Sequence, residues 1–89
     1  MAIGAYFNPE SLTTAQFDAT LEKLEAAGMG NPPGRLQHAA FGPDDKLMVF
    51  DVWASQEEFE AFGAVLMPIL AELGIDPGTP AVMPIYHMD

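Results

Sequence analysis

Hydrophobic positions recur along the chain with two periods that take turns. Residues 2–7 alternate at period two, with Ile3, Ala5 and Phe7 on one face and Ala2, Gly4 and Tyr6 on the other. This predicts a strand that ends at the turn signal Asn8-Pro9. The period then becomes helical: Phe17, Leu21, Leu24 and Gly28 share one face, while Asp18, Glu22, Lys23 and Glu25 fall mainly opposite. Thr13 with Gln16 predicts a capping box at the start, and Gly28 and Gly30 predict the stop. The stretch Asn31-Pro32-Pro33-Gly34 fits neither strand nor helix.

Two further strands follow, over residues 35–42 and 46–53, joined by a hairpin at Pro43-Asp44-Asp45. If Asp44 and Asp45 are the two loop residues, His38 faces Asp51, Ala40 faces Val49 and Leu36 faces Trp53. A turn one residue longer or shorter would move His38 off Asp51. On the third strand Leu47, Val49, Asp51 and Trp53 line one face, and Met48, Phe50, Val52 and Ala54 the other. Both faces are largely apolar, so both need cover. Helices supply one side; a second copy of the chain is the simplest supply for the other.

Ser55 with Glu58 predicts a capping box, with Ala54 and Phe59 at the hydrophobic-staple positions. Phe59, Phe62 and Leu66 continue the apolar face of this second helix. Pro68 removes the bond to Ala64 and clashes with its carbonyl, which predicts a break near residues 63–67 and a second short helix to Leu73, with Gly74 as its stop. A last strand is expected over residues 81–88, with Pro84 tolerated at an edge or bulge. The order β-α-β-β-α-β is the ferredoxin-like pattern: an α+β fold with a four-stranded antiparallel sheet, and one domain over residues 1–89.

Charge changes the picture of partners. The formal net charge is −10, and Lys23, Arg35 and Lys46 are the only Lys or Arg residues. Such a field repels phosphate backbones and anionic lipid headgroups, so neither nucleic acid nor a membrane surface is an expected partner. The absence of cysteine excludes disulfides, thiolate nucleophiles and Cys-ligated metal sites. With no basic, apolar leader and no apolar run near the ~20 residues of a membrane span, a cytoplasmic protein is expected.

The stretch Phe50-Asp51-Val52-Trp53-Ala54-Ser55-Gln56-Glu57-Glu58-Phe59 resembles a family, the dimeric α/β-barrel proteins that include antibiotic-biosynthesis-monooxygenase-like domains. The shared signature is a strand ending in acid-x-Trp, followed by a Ser-capped helix that carries an aromatic. The tail from Leu66 to Gly74 and His87 are similar to a small actinobacterial-type subgroup. The resemblance implies a homodimer whose two sheets close into a barrel, with a pocket in each subunit between sheet and helices. Members oxidise polycyclic phenols without a prosthetic group, degrade haem, or isomerise or decarboxylate small molecules, so the fold does not choose a reaction. Cofactor-free quinone-forming members carry a pocket Trp with Asn and Tyr partners. Trp53 matches the Trp, but Val49 stands where they have Asn.

His38 is the candidate general base, with Asp51 fixing its tautomer. The competing reading is a hydrogen-bonded pair that pins register. Arg35 and Lys46 are the other partners open to Asp51. Trp53 is expected to offer a flat wall and one N–H donor, with Tyr6, His87 and Phe59 as further substrate-binding candidates. Only one of Tyr86 and His87 can face the pocket. No cofactor is expected, and no short metal-ligand motif is present. Two functions remain in view: a cofactor-independent monooxygenase-like or isomerase-like enzyme acting on a flat organic molecule, and a non-catalytic metabolite-binding or assembly homodimer.

Overall fold

A computed structural model describes residues 1–89. The elements run β1 (Ile3–Phe7), α1 (Thr14–Ala26), β2 (Arg35–Phe41), β3 (Met48–Trp53), α2 (Gln56–Glu72) and β4 (Ala81–Pro84). The four strands form one antiparallel sheet in the order β2-β3-β1-β4. This is the ferredoxin-like α+β architecture that the hydrophobic pattern predicts. No helix is long and apolar enough to cross a membrane.

The hairpin register follows from its turn. The Lys46 N–H donates to the Pro43 carbonyl, leaving Asp44 and Asp45 as the central pair. Phe41 then pairs with Met48, Ala40 with Val49 and His38 with Asp51. The expectation fails one step further on. A β-bulge interrupts pairing between Arg35 and Gln37, so Arg35 faces Trp53, and Leu36 is the extra, exposed residue. Nothing in Arg35-Leu36-Gln37 marks a bulge in advance; the preceding Gly34, at φ 85°, lets the loop reach this geometry.

Both helix starts obey their caps. Thr13 and Gln16 form the full reciprocal box. Ser55 accepts from the Glu58 N–H, but the Glu58 carboxylate accepts from the Ser55 hydroxyl, so the second half of that box is not made. It packs against Gly34, where a Cβ would lie 2.3 Å from the Glu58 carboxyl carbon. The helix break expected before Pro68 does not occur: α2 runs unbroken through it. Pro68 and Ala64 are both exposed, so the carbonyl that loses its partner can turn to water. β4 is shorter than expected and stops at Pro84, which pairs with Ile3, the first residue of β1. The Ile85 N–H still donates to the Ala2 carbonyl, so Pro84 takes the alternate position whose N–H would face solvent, and its ring costs the ladder no bond.

Both helices pack on one face of the sheet. Ile3, Ala5, Leu24, Trp53 and Phe62 form one core cluster, and Leu12, Leu47, Leu70 and Ile75 a second. Only 15 of 89 residues are buried, so the interior is thin. The opposite sheet face carries Tyr6, Met48, Phe50 and Phe41, with no helix over it.

Candidate functional site

The site lies at the seam of the two core clusters. A cavity of about 80 Å³ is lined by Leu24 and Phe62 from the first cluster and by Leu12, Leu70 and Ile75 from the second. A second chamber of about 170 Å³ adjoins it and shares Phe7, Asp51, Phe62, Leu66 and Pro77. The sheet supplies the floor through Phe7, Val49, Asp51, His38 and Arg35, and the helices supply the roof.

Asp51 and His38 meet on that floor as cross-strand neighbours. The Nδ1–Oδ1 distance is 2.5 Å, and the side chains are 6% and 25% exposed. An ionised carboxylate can only accept, so His38 Nδ1 carries the proton and donates it to Asp51. In the neutral ring Nε2 then holds a lone pair, and no protein group bonds to it. The Phe17 ring on α1 stacks on the imidazole, with centroids 5.9 Å apart and planes 15° from parallel. Sheet register fixes one end of the dyad and helix packing fixes the ring, so the imidazole is held without loop residues.

The remaining sequence candidates separate. Phe59 lines the larger chamber. Trp53 does not form the cavity wall. It is 0% exposed and sits one layer behind, packed on Phe62 at 5.0 Å and Phe59 at 5.9 Å between ring centroids. Its Nε1–H is the one buried side-chain polar atom without a hydrogen-bond partner. Tyr6 projects from the opposite face of the sheet, across from Phe50, because it alternates with the inward Ala5 and Phe7. His87 lies beyond the truncated β4, exposed and paired with Asp89 at 2.8 Å; Tyr86 beside it is fully exposed. Neither reaches the cavity. No group of three His, Cys, Asp or Glu side chains converges as a metal site would require.

Several lining residues were absent from the sequence candidates. Phe7 could have been found, since it shares the face of Ile3 and Ala5 and pairs with Val49. Phe17 was legible as a helix-face aromatic but not as the lid on His38. Arg35 was in view only as an alternative partner for Asp51; its place on the inner face depends on the bulge.

No protein-family model matches the sequence, and no curated protein matches it. Solved structures do match in shape. A Chloroflexus aurantiacus protein provisionally assigned as an antibiotic biosynthesis monooxygenase superposes with a TM-score of 0.67 at 18% identity, over 100% of this chain and 97% of its own. SnoaB, a cofactor-independent oxygenase from Streptomyces nogalater, gives 0.64 at 16% identity, over 98% and 93%. Rv0793 from Mycobacterium tuberculosis gives 0.54 at 16%, over 99% and 94%. In fold, then, the chain is similar to these ferredoxin-like structures, which include proteins provisionally assigned as antibiotic biosynthesis monooxygenases.

Proposed function

We propose that this protein is a cofactor-independent, monooxygenase-like enzyme acting on a small flat organic molecule, with His38 as general base and Asp51 orienting it. The observation that carries the reading is the His38–Asp51 dyad on the floor of an apolar cavity, with Nε2 free of any protein partner. The likeness in fold to a cofactor-independent oxygenase supports the reaction class.

The chemistry asks little of the protein. Nε2 removes a proton from an acidic C–H beside a carbonyl or phenol ring, and the substrate carbanion adds to dioxygen. The resulting peroxide takes a proton back and loses water, leaving a carbonyl on that carbon. One oxygen atom enters the product and the other leaves as water. The protein's contribution is to hold the C–H within hydrogen-bond reach of Nε2 and to keep water away from the carbanion. An isomerase-like variant uses the same first step and returns the proton to a different carbon of the same substrate.

The second reading, a non-catalytic metabolite-binding or assembly homodimer, draws on the full burial of Trp53 away from the cavity. Oxygen uptake decides between the two. Wild-type protein screened against hydroxylated monocyclic and bicyclic aromatics should consume dioxygen with at least one. His38→Gln should lower that rate by roughly 10²–10⁴-fold, the usual worth of a positioned base. Uptake unchanged in His38→Gln would remove His38 from the reaction.

The proposal includes a homodimer formed through the helix-free face of the sheet. Support comes from Phe41 and Met83, which are 46% and 62% exposed on that face.

A further inference from the structure

Arg35 is a cation without a counter-ion inside an acidic protein. The chain has 13 Asp and Glu residues against 3 Lys and Arg. Lys23 pairs with Glu72 at 2.8 Å, and Lys46 is held by Asn8 and the Pro9 carbonyl. Arg35 makes no ion pair. Its only side-chain hydrogen bond is a long one, 3.4 Å from Nη2 to the Gly30 carbonyl. The guanidinium instead lies over the Phe62 ring, 5.8 Å from its centroid, and lines the smaller chamber. A guanidinium carries five donors in a planar fork, so nearly all of them are unused by the protein.

The bulge explains how it comes to be there. In an unbroken ladder Leu36 would face Trp53, and Arg35 would fall on the opposite side of the sheet. The extra residue restores Arg35 to the inner face, across from Trp53, on the same side as His38. Bulges beside sites commonly re-aim a side chain in this way. Asp51 and Trp53 are two residues apart on β3, so the anchor points of His38 and Arg35 are separated by about 7 Å along the sheet. That is the scale of one aromatic ring. The chamber that His38 and Arg35 both line is about 80 Å³, smaller than the apolar cavity of about 150 Å³ that accepts benzene, so the ring has to extend past Asp51 and Phe62 into the adjoining chamber of about 170 Å³.

From this geometry we infer that the ligand is a monocyclic aromatic carboxylate: Arg35 receives the carboxylate through paired N–H donors, and the ring extends across the apolar lining toward His38. The inference rests on the cavity being the ligand site and names the substrate class for it. The net acidic charge repels anions in general, so the preference depends on this one inward cation. A planar fork and a carboxylate match in a way that no neutral amide reproduces.

The test uses benzoate and benzamide as probes, titrated into the intact protein and followed by amide NMR shifts. Wild type should bind benzoate about tenfold or more tighter than benzamide. Arg35→Gln should bring the two affinities together, Arg35→Lys should keep a reduced preference, and Lys23→Gln, which removes a cation outside the cavity lining, should keep it in full. Circular dichroism on each variant separates lost folding from lost binding. Equal affinities in wild type, or a preference that survives Arg35→Gln, would overturn the carboxylate assignment while leaving the cavity reading intact. Binding of neither probe at millimolar concentration would overturn both.

Discussion

Asp51 is the only charged side chain among the buried residues, and its partner decides what it costs. A carboxylate this enclosed needs a donor, and His38 Nδ1 supplies it. Truncating either partner strands the other, so each single change to Ala should cost about 1–3 kcal/mol. The double variant should cost less than the sum, with a coupling of about 0.5–3 kcal/mol, read from urea denaturation of the four proteins. A coupling near zero would mean that the pair is not formed in solution. Under the proposed general-base mechanism the same two residues separate by role: Asp51→Asn should lower kcat with little change in KM, because the imidazole is misoriented while the cavity keeps its shape. Trp53 sets a different balance. Its unpartnered N–H costs about 1–3 kcal/mol, whereas its ring fills the core against Phe59 and Phe62. Trp53→Phe should therefore shift the melting temperature by only a few degrees, the lost packing being offset by removal of the orphan donor. A drop as large as the roughly 3–5 kcal/mol of a Trp→Ala change would show that the N–H is satisfied after all.

At the scale of elements, α2 and β2 show where local rules bend. Pro68 sits in the interior of α2 on the solvent side, a position that costs up to about 3 kcal/mol relative to Ala. Pro68→Ala restores a bond to the Ala64 carbonyl but loosens the unfolded chain, so a net gain of about 1–2 kcal/mol is expected. That is roughly 4–16 °C in a thermal melt of a chain this size. An unchanged or lower melting temperature would mean that the proline is already accommodated without strain. Periodicity made most of this architecture legible, because a period of two and one of 3.6 leave different marks and the Thr13 and Ser55 caps fix helix starts. The His38–Asp51 contact was legible for a related reason: a two-residue turn at Asp44-Asp45 determines every pair up to the bulge. Beyond that point sequence pattern had nothing to say. Leu36 is an ordinary strand residue, yet its extrusion decides that Arg35 and not Leu36 faces Trp53. Whether Trp53 forms a wall or the layer behind it depends on how Phe59 and Phe62 pack over it, a tertiary outcome invisible to spacing. Pro84 is tolerated on the edge strand as expected, with its nitrogen turned to solvent, but its partner Ile3 is the first residue of β1, so β4 has no strand to pair with further on and His87 lies outside.

For the whole molecule, the layer count sets the outstanding requirement. Two helices cover one face of a four-stranded sheet, and the other face is left with Tyr6, Phe41, Met48, Phe50 and Met83. A specific protein interface removes about 800 Å² from each partner. That is about one-seventh of the 5463 Å² surface of this chain, an amount that one sheet face can supply. Pairing two such faces buries apolar surface at about 25 cal/mol per Å², which a chain with a thin core has reason to use. Charge opposes the association, since two copies bring net charges of −10 together, so the dimer should tighten as salt rises. Sedimentation at micromolar concentration should give twice the 9.6 kDa chain mass, with dissociation shifting to higher concentration at low ionic strength. The double variant Phe41→Glu with Met83→Glu places two charges on exposed positions of that face, where the isolated fold does not need the apolar groups. It should sediment as a monomer while keeping wild-type helical circular dichroism. A wild-type monomer at these concentrations, or a double variant that still dimerises, would move the interface elsewhere or remove it. The cavity faces the helices, on the other side of the sheet from this interface. A folded monomeric variant should therefore still bind benzoate in preference to benzamide, which separates assembly from recognition in a single preparation.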